Sequence, residues 1–184
     1  KATGGSLASG DFQLKLNSIS GTNDAKRSLV PHFETNLLGH WKLNDSNGAI
    51  MYDSSKYHNH GIINNDTLLG THGSIDGIGV ATFDGTDDTI DLPTNVRDFF
   101  HDTSFSVSMW VKIAAGMFSG AEIMFFSVGT ESINNKNLHI GKRNTNKILF
   151  GFYGTSFETT DTITDTNWHH YGFTFNSSNY KLTT

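Results

Sequence analysis

In Phe105-Ser106-Val107-Ser108-Met109-Trp110-Val111-Lys112, apolar and polar side chains alternate along the chain. A period of two residues is typical of a β-strand with one buried face, because successive side chains point to opposite faces. With Ile113, the odd-numbered positions form one continuous apolar face. Trp110 falls on the opposite face, so we expect this strand to be buried on one side and partly covered on the other, as in a two-sheet sandwich.

Similar short runs recur on both sides of this stretch, separated by Gly, Asn, Asp and Ser. No segment keeps a helical period over three turns, so the pattern predicts an all-β, antiparallel fold. The predicted strands are residues 37–43, 60–63, 80–83, 89–92, 104–113, 123–128, 137–140, 148–153 and 169–175.

The composition suits a single folded domain. The chain has 184 residues, of which 36% are hydrophobic and 17% are charged, and this excludes a largely disordered protein. The net charge is -5 and no basic run exceeds two residues, so we expect no nucleic-acid partner. No apolar run reaches the ~18 residues of a membrane span, so we expect no membrane insertion. The absence of cysteine excludes disulfides and thiolate metal sites.

The N-terminal segment differs from the rest, and the predicted domain organisation is an arm over residues 1–33 followed by a sandwich over residues 34–184. The arm begins with a Gly- and Ser-rich stretch. Further along it, Phe12, Leu14 and Leu16 alternate with polar residues and would form one apolar face of a strand. A single strand cannot bury such a face alone, so we expect it to pack on its own domain or on a neighbouring copy.

The order of motifs resembles the concanavalin A-like jelly roll, in its laminin-G-like, pentraxin-related branch. The resemblance spans residues 37–182, and it implies a jelly-roll sandwich. That fold carries lectins, glycosidases, adhesion modules and structural proteins. The motifs that carry the resemblance are Leu38-Gly39-His40-Trp41-Lys42-Leu43, Tyr52-Asp53-Ser54-Ser55 with Asn59-His60-Gly61, Ala81-Thr82-Phe83-Asp84-Gly85-Thr86-Asp87-Asp88-Thr89-Ile90-Asp91-Leu92, residues 105–112, and Trp168-His169-His170-Tyr171-Gly172-Phe173-Thr174-Phe175.

Members of that family usually continue past the position of Tyr180-Lys181-Leu182 with further strands, whereas this sequence stops at Thr184. We therefore expect a sandwich that lacks its last strands and is completed by its own arm, by the arm of a neighbouring copy, or by residues outside this sequence. A neighbour's arm would make a head-to-tail contact, which closes into a ring or continues as a filament.

The function predicted from these expectations is that of a non-enzymatic extracellular or cell-surface subunit, which self-assembles into a filament or surface layer by strand complementation. A glycan-binding adhesion module, lectin-like and with a calcium requirement left open, is the alternative. A glycoside hydrolase ranks last, because glucanases of this fold carry their two Glu residues in one short strand motif. Here Glu34, Glu122, Glu131 and Glu158 are widely separated.

Calcium is the metal that the resemblance implies, and carboxylate and amide oxygens suit this hard cation. The candidate ligands are Asp53, Asn59, Asp87 and Asp88, and hydrogen-bonded Asx turns are the alternative interpretation. His58 and His60 share a face if their segment is extended, but two ligands are too few for a transition-metal site.

Two groups of aromatic residues have different expected roles. Trp41, Trp110 and Trp168 lie within predicted strands among apolar neighbours, which indicates core anchors rather than sugar-stacking rings. A glycan platform, if present, is expected from the loop aromatics Tyr52, Tyr57, Phe118 and Tyr153.

N-glycosylation sequons begin at Asn44, Asn65 and Asn176, all at predicted strand ends or turns where a glycan would face solvent. The Thr-rich stretch 155–166 is interpreted as an exposed loop.

Overall fold

A computed structural model describes residues 36–45, 48–65, 67–71, 79–100, 103–118, 120, 122–129, 137–179 and 181–183. The chain divides into two units at Leu37/Leu38, and all the strands given below belong to the second. The predicted arm, with its assembly residues Phe12, Leu14 and Leu16, lies outside the described residues.

The second unit is built from short antiparallel strands, as the alternating sequence pattern predicts. The strands are β1 (Ile50–Met51), β2 (Gly61–Asn64), β3 (Leu68–Thr71), β4 (Val80–Thr82), β5 (Thr89–Asp91), β6 (Phe105–Val111), β7 (Ile123–Val128), β8 (Leu138–Lys142), β9 (Lys147–Phe152), β10 (Thr155–Thr162), β11 (His169–Asn176) and β12 (Lys181–Thr183). Helix α1 (Thr94–Phe99) precedes β6, and a 3-10 turn covers Ala115–Met117.

Two main sheets enclose the core. One has the strand order β10-β9-β8-β7, and the other has the order β12-β11-β6. Aromatic rings from the two sheets meet between them: Phe150 lies 5.2 Å from Phe173, and Phe152 lies 4.9 Å from Phe175. This interdigitation of side chains from two inner faces confirms the predicted antiparallel sandwich of the jelly-roll type. Smaller sheets, β1-β2-β5 and β3-β4, accompany it.

Among the described strands, β6 lies at the edge of its sheet. Within the part of the chain that the structure describes, it pairs with β11 alone, from Phe105 opposite Phe175 to Val111 opposite His169. The inward side chains of β11, Phe173 and Phe175, are fully buried, whereas Val107, Met109 and Val111 of β6 are only half-buried. The core is therefore less covered on the β6 side.

One strand prediction and one loop prediction are wrong. Residues 37–43 do not form a strand, because Leu43 adopts a positive φ of 59° and the only ladder contact in this described segment is a bridge from Trp41 to Asp53. Of the Thr-rich stretch 155–166, which is predicted to be a loop, residues 155–162 instead form β10, and residues 163–166 lie outside the strands. An edge strand that is exposed on both faces shows no apolar alternation, but Thr favours the extended backbone.

No helix among the described residues is long and apolar enough to cross a membrane.

Candidate functional site

A pocket lies on the face of the β7–β10 sheet that points away from the core. Leu138, Ile140 and Phe150 face the core, so the alternation of side chains places His139 and Leu149 on the opposite face. The register continues this face across the sheet in two rows, Met124–Gly141–Leu149–Glu158 and Ser127–His139–Gly151–Ser156.

Glycines at the centre of both rows allow the neighbouring strands to come very close. A Cβ on Gly141 would lie 2.2 Å from the carbonyl oxygen of Ile123, and one on Gly151 would lie 2.4 Å from Cα of Ser156. This region of the sheet carries a pocket of about 280 Å³. It is lined by Glu122, Met124, His139, Arg143, Leu149, Phe152, Tyr153, Gly154 and Ser156.

The tight turn between β8 and β9 positions Arg143. The backbone N–H of Arg143 donates to the carbonyl of Lys147, which closes a three-residue loop over residues 144–146. Asn146 has a φ of 62°, a left-handed conformation that Asn tolerates better than most residues. Arg143 thus extends from the end of a rigid hairpin toward β7 and β10.

Arg143 joins two carboxylates that are far apart in sequence. Its Nη1 donates to Oε1 of Glu122 at 2.6 Å, and its Nε donates to Oε1 of Glu158 at 3.1 Å. A longer bond of 3.5 Å runs from Nη2 to the hydroxyl of Ser156. The hydrogen bond with Glu122 is the main reason that the pKa of Arg143 is raised, so the guanidinium stays charged.

This grouping differs from that of a glycosidase. Such enzymes place two carboxyl groups on either side of the scissile bond, with the sugar between them. Here Arg143 lies between Glu122 and Glu158 and contacts both. The sequence interpretation missed Arg143, although a basic residue directly before the turn sequence Asn144-Thr145-Asn146 marks the end of a strand.

Asp53, a predicted calcium ligand, instead holds a loop together. It is 3% exposed, and its Oδ1 accepts bonds from the N–H groups of His40 and Ser55. Its Oδ2 accepts bonds from the Ser55 hydroxyl and from the N–H of Asn59. Burial pushes the pKa of Asp53 up, but the hydrogen bond from the Ser55 hydroxyl and the three backbone bonds outweigh it, so the pKa is lowered.

Asn59, the second predicted ligand on this side, belongs to the same network. Its side-chain Nδ2 donates to the carbonyl of Leu38, and its Oδ1 accepts from Asn95. Its backbone carbonyl accepts from the indole N–H of Trp41. The side-chain oxygens of Asp53 and the side-chain amide of Asn59 are thus paired with protein groups.

The other two predicted ligands, Asp87 and Asp88, cluster with Asp84 in the turn between β4 and β5. One oxygen from each lies within 4.8 Å of the others, and Asp53 does not belong to this group. Asp88 Oδ2 accepts a bond from the N–H of Asp84, whereas its Oδ1 is buried and has no partner in the described structure. Three carboxylates with one orphaned oxygen fit a hard cation such as Ca²⁺, which these residues would hold through oxygen ligands.

The family model for laminin-G domains of the Concanavalin A-like lectin/glucanases superfamily matches residues 84–183, which is more than half of the chain. The chain belongs to this superfamily. Neither a curated protein nor a solved structure matches it.

The aromatic candidates of this laminin-G-like domain are spread over several places. Tyr153 lines the pocket and is 41% exposed. Tyr52 lies edge-on to His60, and Tyr57 carries the ammonium of Lys56 over its ring. Phe118 packs against the core. Tyr153 is therefore the predicted platform residue that the structure places in the pocket.

The prediction that Trp110 anchors the core is wrong. It is 53% exposed and packs against the ring of His170 at 5.0 Å, on the outer face of the β6–β11 pair. The physical reason is strand parity, since Trp110 is out of phase with the buried residues of β6. Trp41 packs against the core, and Trp168 is half-buried.

The three sequon residues of the domain, Asn44, Asn65 and Asn176, are exposed. Asn65 Nδ2 donates to the carbonyl of Asp87, so a glycan on that nitrogen would have to displace this bond.

His58 and His60 have ring centroids 5.8 Å apart, and Nδ1 of His60 accepts a bond from the N–H of Asp53. That bond leaves His60 a single ring nitrogen for any metal.

Proposed function

We propose that this laminin-G-like domain is a non-enzymatic, extracellular glycan-binding module whose site is the pocket on the β7–β10 sheet. The observation that carries the proposal is the pairing of Glu122 and Arg143 beside the half-exposed ring of Tyr153. Sugar hydroxyls both donate and accept hydrogen bonds, and a carboxylate next to a guanidinium supplies both partners. The apolar face of a sugar ring packs on an aromatic side chain. A site with both features therefore makes polar contacts with the sugar hydroxyls and an apolar contact with the ring face.

The size of the pocket limits the ligand. Sites for drug-sized ligands commonly measure ~300–1,000 Å³, and about 280 Å³ lies at the lower end of that range. A single sugar ring at the end or side of a longer glycan fits such a volume. His139 and Ser156 line the same pocket and add hydrogen-bonding groups to it.

A glycan array read with two matched variants tests this proposal. Tyr153→Ala removes the ring that lines the pocket, and Trp110→Ala removes an even more exposed ring on the other main sheet. We expect the native domain and Trp110→Ala to bind the same glycans, and Tyr153→Ala to lose at least about tenfold in affinity. Unchanged binding by Tyr153→Ala, or its loss in Trp110→Ala, would contradict the pocket as the site.

The edge strand β6 favours a second candidate function, self-assembly by strand complementation. Its row of half-buried side chains and its single strand neighbour among the described residues leave room for an added strand. An extended segment whose alternate residues are apolar fills such an edge through backbone hydrogen bonds. We propose Phe12, Leu14 and Leu16 as that segment, donated by a neighbouring copy to build a filament or surface layer.

Deletion of residues 1–20 tests the assembly proposal. We expect the deletion to abolish assembly as measured by light scattering and electron microscopy. Replacing Phe12, Leu14 and Leu16 with Asp should do the same, whereas replacing the intervening Gln13, Lys15 and Asn17 with Ser should not. A deletion variant that still assembles would remove this candidate and leave the glycan proposal untouched.

A further inference from the structure

Among the described residues that line the pocket, Arg143 is the one cationic group that is not a histidine, and protein carboxylates already contact it on two sides. Glu122 lies in the lining itself, and Glu158 lies just outside it, opposite Leu149 in the sheet register. The side chains of Glu122, Glu158 and Arg143 together carry one net negative charge. The buried ammonium of Lys142 is close by, but it is bound to the carbonyl of Arg143 and to Asn146 and does not line the pocket. The raised pKa of Arg143 fits this excess of neighbouring acid.

Protein groups already engage three of the five N–H donors of Arg143. The edge formed by Nε and Nη2, which is one of the two edges that can bind an anion with two parallel bonds, faces Glu158 and Ser156. Nη1 donates to Glu122. A sulfate or carboxylate could take the Nε–Nη2 edge only by displacing Glu158 and Ser156, and at the two remaining N–H groups it would meet the negative charge of Glu122.

The acceptors of the pocket are more accessible. Both contacts to Arg143 use Oε1 of the respective glutamate, and among the described residues Oε2 of Glu122 has no hydrogen-bond partner. A carboxylate oxygen accepts from a hydroxyl but repels another anion.

Building on the glycan-binding function proposed above, we infer that the pocket selects neutral sugars and rejects sulfated or carboxylated ones. The hydroxyls of a neutral ring donate to Glu122 and accept from the remaining donors of the lining. Glu158 does not line the pocket, but its ion pair with Arg143 offsets the positive charge that would otherwise attract an acidic sugar. Glu158 thus contributes to the selectivity for neutral sugars by acting through Arg143.

The test uses an array on which each neutral oligosaccharide stands beside its sulfated and its uronic-acid derivative. The domain is presented as a tetramer on streptavidin, since multivalency makes weak single-ring binding measurable. We expect retention on the neutral members and at least about tenfold less on their acidic derivatives. Glu158→Gln should raise the affinity for the acidic derivatives by about fivefold, which is ~1 kcal/mol for an exposed ion pair.

Asp91→Asn is the matched control, because it removes the same charge from an exposed residue that hydrogen-bonds Asn64 outside the pocket. It should leave the selectivity unchanged. Acidic derivatives bound as tightly as neutral ones, or equal gains from Asp91→Asn and Glu158→Gln, would overturn the inference and leave the glycan-binding function standing. Retention on no member of the array would overturn both.

Discussion

Oδ2 of Asp53 accepts a hydrogen bond of 2.8 Å from the backbone N–H of Asn59, and this bond closes the loop that carries both residues. The same carboxylate binds the N–H of His40 at 2.7 Å, so it also ties the segment before β1 to the loop. Trp41 and Asn95 attach to the loop through Asn59. Two residues that resemble metal ligands in the sequence thus stabilise the fold by direct pairing.

Asp53→Ala should strongly lower the stability of the domain. The substitution leaves the N–H groups of His40, Ser55 and Asn59 without their acceptor in a buried place. Loss of such a partner costs the full desolvation of each donor, so we expect at least ~3 kcal/mol less free energy of unfolding in urea. Asp45→Ala is the control, because Asp45 accepts one exposed bond from Tyr52. Similar losses in both variants would contradict the role of the network.

The lowered pKa of Asp53 predicts that the domain loses stability in acid. Its pKa is lower in the folded chain than in the unfolded one, so its contribution is complete above the unfolded value of ~3.9. The contribution disappears as the pH falls through the folded value. We expect the free energy of unfolding to decrease below about pH 4, and Asp53→Asn to show a shallower decrease. The pKa of Asp165 is lowered by the hydrogen bonds from the N–H of Asn167 and the His169 ring. Asp165 should therefore keep part of the pH dependence of the free energy of unfolding in the variant.

The sandwich could be predicted because its strands keep a period of two, as in β6, where Phe105, Val107, Met109 and Val111 all face inward. Polar strands such as β10 give no such signal. The site could not be predicted for a different reason. Glu122 and Glu158 lie 21 and 15 positions from Arg143, and only the pairing of β7, β8, β9 and β10 brings the three together.

Gly141 should tolerate no side chain, because its neighbour strand lies too close. We expect Gly141→Ala to cost about 2 kcal/mol in the free energy of unfolding, since the Cβ would meet the carbonyl of Ile123. Gly172→Ala, in β11, is the matched control, and nothing lies within 4 Å of its Cβ position. It should be neutral or stabilising by up to ~1 kcal/mol. Equal stability of the two variants would show that the strands at Gly141 can separate.

The calcium prediction now concerns the turn of Asp84, Asp87 and Asp88 alone. If this turn holds the ion, calcium stabilises the folded domain and raises the melting temperature with the logarithm of its concentration once that exceeds the dissociation constant. Asp88→Asn, which alters the residue with the orphaned oxygen, should abolish the rise, while Asp45→Asn should not. If millimolar calcium leaves the melting temperature of the native domain unchanged, the turn does not bind the ion.

Trp110 and Phe173 provide the sharpest comparison between the two faces of one sheet. Both are aromatic residues of paired strands, but Trp110 is 53% exposed and Phe173 is 1% exposed. Truncation of a buried ring leaves a cavity, so Phe173→Ala should cost about 3–5 kcal/mol in the free energy of unfolding. Trp110→Ala loses its contact with His170 and should cost less than ~1 kcal/mol. A large loss from Trp110→Ala would mean that the outer face of β6 is covered in solution, as a strand or sheet donated by a neighbouring copy would cover it.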